Sequence, residues 1–537
     1  MPDFSLGEWL PDQPQIALPG LITCDNVIPT ARGYESHPGT SEVASRAALA
    51  ASVRGAASGE TQTGVRYIIA GTGRDTANSI EPKLMLSWGS TPSDWIDVTP
   101  SSALSTFTDQ GQWEFTRYGK YLLAVANGVV PQVLDVSSTP TDGGTNFSDL
   151  AADCSKAGTA AVFKNFLILG NLIGRGTNAS AIGTRENAIH WSGIGDPTSW
   201  PTVGTAAAVN AQSDYQVLDG SGGAVTAIVP GGEYCAIFQE RAIWRLDYVG
   251  GANVFSLRLI EPNIGCMSQR YAVAANNLIY FASAQGFMVF DGAQVRSIGS
   301  EKVDRTWIES FDVNNTKHAA ATYNPENHCI YWTIPDGANA ATRLFGYQYE
   351  LNRWFQIAGT GDSFEWIFSA FADPIGGSLD FAPYSTMKMD SASGSDPTTL
   401  QNMNLDTLGT EVGRASLAFF NSSHKLKLFN LKSSPLEGTI ETGDFEAPGG
   451  ARAIVNWIRP IFEGDSVFSI QSSGRNSPND TLDLRSMSER AAVGAWSASR
   501  GNRVGGRYLR AKFMTGAGEL RSFSGFDADF KAGGATR

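Results

Sequence analysis

The chain has 537 residues, of which 42% are hydrophobic and 17% are charged. This length exceeds what one hydrophobic core usually organises, so we expect two or more domains, and the low charged fraction excludes a disordered chain or a charged helical bundle. The 58 glycines and 13 tryptophans favour many short strands and turns, whereas the net charge of −13 lacks the basic footprint of a protein that grips the nucleic-acid backbone.

Residues 1–45 are predicted to form an N-terminal arm, because the segment is irregular and rich in proline and glycine. The alanine-rich segment Ser41–Ala57 predicts the chain's best helix, which Gly55 and Gly59 would end early. The N-terminus lacks the basic and apolar regions of a signal peptide, and no apolar run of about 18 residues is present. We therefore expect synthesis in a cytoplasm and no membrane span.

Residues 46–375 are predicted to form a β-propeller-like body. Short apolar runs, rich in β-branched and aromatic residues, alternate there with turns such as Gly231-Gly232 and Asp291-Gly292, a pattern typical of sandwiches, barrels and propellers. The predicted strands of the body are Val65–Ala70, Lys83–Trp88, Tyr121–Ala126, Ala161–Leu169, Ala224–Val229, Tyr234–Phe238, Ala242–Leu246, Leu278–Ala282, Phe287–Phe290, Cys329–Ile334 and Leu344–Tyr349.

Five tryptophans mark an imperfect internal repeat. In residues 84–95 and again in 189–200, a strand ends in Trp, a turn follows, and a second Trp comes after it. Trp88 and Trp95 would thus correspond to Trp191 and Trp200, and Trp244 belongs to a second recurring strand pair. Repeating units of a few strands suit propeller blades, so we interpret these tryptophans as structural blade residues.

The C-terminal part divides into a predicted linker or insertion, 376–435, and a predicted β-sandwich-like domain, 436–537. Its strands are predicted at Gly438–Glu441, Ala453–Ile458, Ser466–Gln471 and Arg507–Phe513. Residues 451–537 hold 13 Lys/Arg and 8 Asp/Glu, a net charge of +5, so the rest of the chain carries −18. The asymmetry indicates two surfaces with different neighbours.

No recognisable catalytic, cofactor or metal site appears, so we expect a protein that is not an enzyme. HExxH, GxSxG, Walker and dinucleotide fingerprints are absent, and the five cysteines are scattered through apolar runs, as expected of buried reduced thiols. His328 and Cys329 are adjacent on a predicted strand and would point to opposite faces. The turn at Asp109 faintly resembles a sialidase Asp box, but it occurs once.

A basic segment near the C-terminus is the candidate subunit-contact surface, formed by Arg503, Arg507, Arg510 and Lys512. Alternation along the strand would place Arg510 and Lys512 on one face and Leu509, Ala511 and Phe513 on the other. The polar face would be solvated, or would contact an acidic neighbouring subunit.

Several segments, in order along most of the chain, resemble the hub or nozzle proteins of short-tailed bacteriophages, including the packaged-DNA stabilisation proteins. They lie in the N-terminal region, the body and the C-terminal region. The segments are Leu21–Pro29 with Gly33-Tyr34 and Pro38-Gly39, Ile68–Thr72, Trp95–Val98, Trp113–Gly119, Ala126–Gly128 with Pro131-Gln132, Ile189–Ser192, Asp196–Trp200, Ile237-Phe238, Ile243-Trp244, Gly265-Cys266, Gly286–Gly292, Gly299–Asp304, Glu441–Asp444, Ile458–Pro460 and Gly506–Tyr508.

The resemblance implies an all-β fold, with a propeller core, an added C-terminal β domain and few helices. It implies a structural virion protein of the phage tail, assembled in the host bacterial cytoplasm as a homohexameric ring below the portal and adaptor proteins. Its partners would be other copies of itself, head-to-tail connectors and tail fibres or spikes. The ring would retain packaged double-stranded DNA and pass it at ejection. No cofactor is implied.

Two other functions remain open. A monomeric propeller that binds carbohydrate, such as a lectin or adhesin, would show repeated aromatic pockets and glycan binding. A glycoside hydrolase would need two carboxylates at a suitable separation, and it would lose activity when one of them is replaced.

Overall fold

The computed structural model describes residues 4–16, 20–43, 46–75, 78–88, 95–101, 104, 106–138, 140, 146–251, 253–336, 340–371, 415–430, 433–446, 452–477, 479–486, 504–516 and 518–532. Within these ranges the chain is nearly all β. Its short helices are α1 (Ala179–Ile182), α2 (Ala206–Ala211) and α3 (Asp304–Ser310), with 3-10 turns at Gly176–Asn178, Gly220–Gly222 and Thr316–His318.

Five strands precede the body: β1 (Phe4–Ser5), β2 (Leu21–Asp25), β3 (Val27–Thr30), β4 (Gly33–Ser36) and β5 (Gly39–Glu42). Five four-stranded antiparallel sheets then follow one another along the chain. We name them blades 1 to 5. Blade 1 is β6 (Val53–Glu60), β7 (Arg66–Thr72), β8 (Leu84–Trp88) and β9 (Ile96–Asp97), and blade 2 is β10 (Glu114–Tyr118), β11 (Tyr121–Val125), β12 (Gln132–Asp135) and β13 (Ser148–Asp149). Blade 3 is β14 (Lys156–Phe163), β15 (Phe166–Ile173), β16 (Thr184–Trp191) and β17 (Asp214–Val217), and blade 4 is β18 (Val225–Pro230), β19 (Cys235–Gln239), β20 (Ile243–Tyr248) and β21 (Phe255–Glu261). Blade 5 is β22 (Ala272–Ala275), β23 (Leu278–Ser283), β24 (Gly286–Phe290) and β25 (Val295–Ser297).

Two further blades pair with strands from elsewhere in the chain. Blade 6 is β26 (Ala321–Asn324), β27 (Cys329–Ile334), β28 (Arg343–Gln348) and β29 (Arg353–Ile357). Blade 7 is β30 (Trp366–Phe371), β31 (Ala415–Phe420) and β32 (Leu426–Asn430), with β5 as its fourth and outermost strand. The remaining strands are β33 (Thr439–Thr442), β34 (Phe445–Glu446), β35 (Ala453–Gly464), β36 (Phe468–Arg475), β37 (Asp483–Ser486), β38 (Val504–Gly506), β39 (Tyr508–Thr515) and β40 (Leu520–Ala532).

The blades form a closed ring. Their first strands pack side by side in the order β6, β10, β14, β18, β22, β26, β30 and back to β6. Six of these positions are separate four-stranded sheets, and the remaining one is blade 6, which is the beginning of a ten-stranded sheet. This arrangement is a β-propeller, so the predicted fold class is confirmed.

The ten-stranded sheet joins the propeller to the C-terminal β domain. Its order is β26-β27-β28-β29-β2-β33-β39-β36-β37, with β34 paired to β39. Strand β2 bridges the two parts, because Asp25 pairs with Gln356 of blade 6 and with Thr439 of β33. A second sheet of β3, β4, β40, β35 and β38, with β1 paired to β40, packs on it through the rings of Phe468 and Phe523, 5.2 Å apart.

The N-terminal and linker regions differ from the predicted divisions. Residues 1–45 do not form a separate arm, because β1 to β5 are distributed over the C-terminal sheets and blade 7. The propeller does not end at residue 375, because β31 and β32 fall within the predicted linker and belong to blade 7. Residues 376–414 and 431–432 of that predicted linker lie outside the described residues.

The predicted helix Ser41–Ala57 is wrong. Its ends are strands β5 and β6, which pair with β32 and β7. The small residues serve close packing around the propeller axis instead of helix formation. A Cβ placed on Gly55 would lie 2.5 Å from the carbonyl oxygen of Trp113, and one on Gly59 would lie 2.4 Å from the Tyr67 hydroxyl.

The predicted strand Ala161–Leu169 is a hairpin of β14 and β15. Lys164 and Asn165 form its turn with φ values of 46° and 63°, the left-handed conformation that a tight two-residue hairpin turn requires. The continuous apolar run concealed this turn because both strands are buried on both faces.

Candidate functional site

Trp88 and Trp191 occupy matching places, since each is the last residue of the third strand of its blade. The Trp88 ring stacks on Tyr67 with ring centroids 6.0 Å apart. Trp191 donates its indole N–H to the carbonyl oxygen of Gln212 at 2.9 Å. Trp88 thus packs within its blade, whereas Trp191 also packs edge-to-face on Phe255 of blade 4, with ring centroids 5.2 Å apart. Both have the contacts of structural residues.

The other three tryptophans also make contacts within the chain. Trp95 donates to the Ala47 carbonyl at 3.0 Å, and Trp244 donates to the side-chain oxygen of Gln239 at 2.7 Å. Trp200 is buried in the long connection before β17, whereas Trp95 directly precedes β9. The proposed match between Trp95 and Trp200 thus holds in chain order and differs in local structure.

The four residues of the candidate basic surface differ in their exposure to solvent. Arg507 is exposed and lies 3.3 Å from Glu446, Lys512 is half-buried, and Arg503 lies outside the described residues. Arg510 is only 6% exposed. The prediction that Arg510 lies on a solvated face is wrong, because the N-terminal segment around Gln15 covers that face of β39.

Arg510 belongs to a buried ion cluster. Its guanidinium donates to Asp444 at 3.0 Å, to Glu441 at 3.2 Å and to the side-chain oxygen of Gln15 at 3.0 Å. Asp444 is fully buried and also accepts from Arg475 at 2.9 Å. The cluster holds together three parts of the chain that are far apart in sequence.

The cysteines and His328 do not form a reactive pair. The five cysteines are buried and free, as predicted, and burial raises the pKa of the Cys266 thiol to about 12. Nδ1 of His328 lies 2.9 Å from the Tyr349 hydroxyl, while Cys329 Sγ donates to the Asn327 carbonyl at 3.2 Å. Within the described ranges no group of His, Cys, Asp and Glu could hold a metal ion.

A cavity of about 270 Å³ lies on the propeller axis. It is lined by the first strands of blades 1, 2, 4, 6 and 7 and by the start of blade 5. These strands are the inner edges of their sheets, so their unpaired backbone groups face the axis. Neighbouring blades satisfy some of them, as when the Ser58 hydroxyl donates to the Ser369 carbonyl at 2.7 Å.

An ion pair crosses the cavity. Nη1 of Arg270, just before β22 of blade 5, lies 2.7 Å from Oε2 of Glu114, at the start of β10 in blade 2. The same carboxylate oxygen accepts from the Ala160 amide of blade 3 at 2.8 Å. Nε and Nη2 of Arg270 are buried and make no hydrogen bond to any described protein group.

Gln112 is buried and links two distant blades. Its side-chain amide donates to the carbonyl oxygens of Thr316 and Ala319, each at 2.8 Å. Gln112 precedes blade 2 and the two acceptors precede blade 6, so these bonds join blades that are not neighbours in the ring.

A second set of charged groups lies where blade 7 meets blade 1. Glu365, 2% exposed, accepts from the Val53 amide at 3.0 Å and lies 3.0 Å from Nδ1 of His424. This hydrogen bond raises the pKa of His424, against the opposing effect of burial. Burial lowers the pKa of Arg54 to about 10 and, together with the charge of Arg54, lowers the pKa of Lys317. Glu365 thus ties the last blade to the first.

Sequence reasoning did not find Glu114 or Arg270. They are far apart in the chain, and although Glu114 lies in the segment Trp113–Gly119, nothing there pairs it with Arg270. A usable signal is the charged residue in Trp113-Glu114-Phe115, because a carboxylate between aromatic residues at the start of a strand needs a partner.

None of the helices in the described part of the chain has the length and apolar composition of a membrane span. Neither a protein-family model nor a curated protein sequence matches this chain. Among solved structures, apo AztD from Citrobacter koseri is similar at 11% identity, over 62% of this chain and 93% of that chain, with a TM-score of 0.28. A likeness of this size carries no argument about function, and the propeller assignment stands on the sheet order above.

Proposed function

We propose that this chain is a structural, non-enzymatic virion protein, the ring-forming nozzle or hub subunit of a short-tailed phage tail. The observation that carries the proposal is an uneven distribution of exposed apolar side chains. Six of the nine large apolar residues strongly exposed in the described ranges lie on blades 3 and 4: Ile173, Ile194, Val209, Tyr248, Val249 and Leu259. Exposed apolar side chains concentrated on one part of a protein are typical of protein–protein contacts.

A closed ring needs two different complementary surfaces on each subunit. We infer that blades 3 and 4 supply one of them. The exposed Arg507 remains a candidate for contacts between the C-terminal domain and an acidic neighbour, such as the remainder of the chain with its charge of −18. The segments that resemble phage nozzle proteins add independent support.

The continuous sheet between propeller and C-terminal domain suits a subunit that bears load. Because β2 pairs with strands of both parts, a hinge between them would break backbone hydrogen bonds. A tail channel that retains packaged DNA would benefit from such a rigid unit.

Any DNA channel would run through the centre of the assembled ring and not along the axis of one propeller. The axial cavity of about 270 Å³ corresponds to roughly nine water molecules at about 30 Å³ each. A DNA major groove alone is about 12 Å wide. An acidic ring wall would let the polyanion pass without binding tightly.

The test is the oligomeric state of the purified chain, and of the chain on tails, by sedimentation and negative-stain imaging. We expect a ring for the wild type and no ring for a Val209→Glu/Val249→Glu double variant. An Ile308→Glu/Val313→Glu double variant, which places the same two charges at exposed positions outside blades 3 and 4, is the matched control.

Two outcomes would contradict the proposal. Rings that form equally well in the double variant would remove blades 3 and 4 as a contact. A chain that stays monomeric, adds no density to tails and binds glycans would favour the carbohydrate-binding alternative, and glycan cleavage would favour the hydrolase.

A further inference from the structure

Arg54 is a buried cation with no carboxylate in contact. It lies near the start of β6 in blade 1 and is only 6% exposed. Nε and Nη1 are enclosed and make no hydrogen bond, and the guanidinium forms no ion pair with any carboxylate of the described ranges. Nη2 also makes no hydrogen bond, but it is not enclosed. Nη2 is therefore the one nitrogen of Arg54 that a group from outside can reach.

Lys317 places a second cation close to Arg54. It is half-buried in the 3-10 turn Thr316–His318, which precedes blade 6. Within the part of the chain that the structure describes, its ammonium group has neither a hydrogen bond nor an ion pair. Two neighbouring cations withdrawn from water without acceptors are costly, so the arrangement favours an acceptor that the chain does not supply.

The turn that carries Lys317 is fixed next to β6. The Thr316 carbonyl accepts from the Gln112 side chain at 2.8 Å. Nδ1 of His318 lies 3.0 Å from the carbonyl oxygen of Glu365. The carboxylate of Glu365 in turn accepts from the Val53 amide of β6 at 3.0 Å. The two cations are thus held in place by contacts that they do not make themselves.

The nearby carboxylates do not compensate the two positive charges. Glu365 is already hydrogen-bonded to Nδ1 of His424 at 3.0 Å, and Asp109 is exposed. Burial lowers the pKa of Arg54 to about 10, although both carboxylates act to raise it. Burial, followed by the charge of Arg54, lowers the pKa of Lys317 against the same two carboxylates. Further negative charge at this place would therefore be stabilising.

The donors that can be reached favour a tetrahedral anion over a planar carboxylate. A carboxylate is bound best by two parallel N–H bonds of one guanidinium, whereas Arg54 offers only Nη2. The ammonium group of Lys317 acts as a point charge and comes from a different element of the fold. A phosphate group has several strong acceptor oxygens that point in different directions, so it can accept from both cations at once.

We propose that Arg54 and Lys317 bind a phosphate group between the start of blade 1 and the turn before blade 6. Nη2 of Arg54 and Nζ of Lys317 each donate to one of its oxygens. The ligand is inorganic phosphate or the phosphate of a small ester, since both present the same oxygens. The site goes beyond the proposed function, because its residues lie within one propeller and need no ring assembly.

The test is calorimetric titration of the full chain with inorganic phosphate, glycerol phosphate and acetate, at constant ionic strength. We expect phosphate or its ester to bind, and the tighter of the two identifies the source of the group. Lys317→Gln should weaken binding about tenfold to hundredfold, the value of one charge-assisted hydrogen bond. Lys302→Gln is the matched control and should bind as the wild type does, because Lys302 is also half-buried but already pairs with Glu8 at 2.9 Å.

Arg54→Met provides a second variant, and it should abolish binding. Melting temperatures without ligand separate lost binding from lost folding, and saturating phosphate should raise the melting temperature of the wild type more than that of Lys317→Gln. The proposal is overturned if the wild type binds neither phosphate probe, if acetate binds as tightly as phosphate, or if Lys317→Gln binds phosphate as tightly as the wild type. Ring assembly that persists in Lys317→Gln would confirm that the site is separate from the subunit contact.

Discussion

Arg510 and Arg270 are both held inside the protein by carboxylates, yet their surroundings differ. In the C-terminal domain, Arg510 uses Nε, Nη1 and Nη2 for hydrogen bonds to Asp444, Glu441 and Gln15. In the propeller, Arg270 uses Nη1 alone, and Nε and Nη2 have no acceptor among the described residues.

The difference separates a buried guanidinium whose nitrogens all have acceptors from one in which two nitrogens have none among the described residues. A buried charge whose donors are satisfied joins chain segments and leaves nothing for a ligand. A buried charge with unused donors carries a desolvation cost that its hydrogen bonds do not fully offset. Variants at these two sites, and at exposed ion pairs for comparison, test whether the two arginines differ in this way.

The largest effect is expected for Asp444→Asn. The change removes the fully buried carboxylate that accepts from both Arg475 and Arg510, and breaking a buried ion pair costs about 3–5 kcal/mol. Urea denaturation would measure the free energy of unfolding. Asp247→Asn, at the more exposed pair with Arg245, should cost under about 1 kcal/mol. Equal losses in the two variants would contradict the structural role of the cluster.

A smaller loss is expected for Arg270→Met, about 1–3 kcal/mol. Replacing the arginine leaves the Glu114 carboxylate without its ion-pair partner, which destabilises the fold. It also removes two unsatisfied donors, which offsets part of that loss. Arg510→Met in the same denaturation series gives the comparison. If Arg270→Met is as destabilising as Arg510→Met, the distinction between the two arginines fails.

The pair of His424 and Glu365 should make stability depend on pH. The pKa of His424 is raised above 6.5 in the folded chain, so folding holds the proton more tightly. The stabilisation is complete below about pH 6.5 and is lost as pH rises through the folded-state pKa. We expect His424→Gln to cost roughly 0.5–1 kcal/mol at pH 5.5 and less at pH 8.5, measured by denaturation at both values. His328→Gln is the control, and a pH-independent loss at His424 would disprove the proton linkage.

The smallest effect on stability is expected for Arg507→Ala, within about 0.5 kcal/mol. Arg507 lies close to Arg510 in the chain, but its pair with Glu446 is exposed. Thermal denaturation would test this value. A loss of ring assembly with unchanged stability would identify Arg507 as a subunit contact, whereas a large loss of stability would show that it too has a structural role.

Most of the blade strands could be predicted from sequence because they pair with their neighbours along the chain; the pairing of β5 with β32 in blade 7 is the exception. A run such as Cys329–Ile334 pairs with the next run along the chain through a short connection, so apolar patterning and turn residues suffice. The glycines and alanines near residue 55 led to the wrong helix prediction. Their role is to leave room for Trp113, which comes from a different blade, and no local pattern shows this.

The buried polar contacts could not be predicted in the same way. Alternation correctly separates Arg510 from Leu509, but nothing near β39 in sequence indicates that Gln15 covers it. Glu114 and Arg270 meet only because the ring brings blades 2 and 5 to opposite sides of one cavity. Such contacts form only when the blades close into a ring, so no local sequence pattern indicates them.

Strand β5, the outermost strand of blade 7, has a consequence for biosynthesis. Thr40 pairs with Phe429, so β5 cannot pair until β32 has been synthesised and has left the ribosome. At about 5–20 residues per second the delay is roughly 20–80 seconds. During that time the nascent propeller is an open arc with unpaired edges at risk of aggregation. Strand β4 waits longer still, since Tyr34 pairs with Phe523, so translation must be nearly complete before the native topology can be closed.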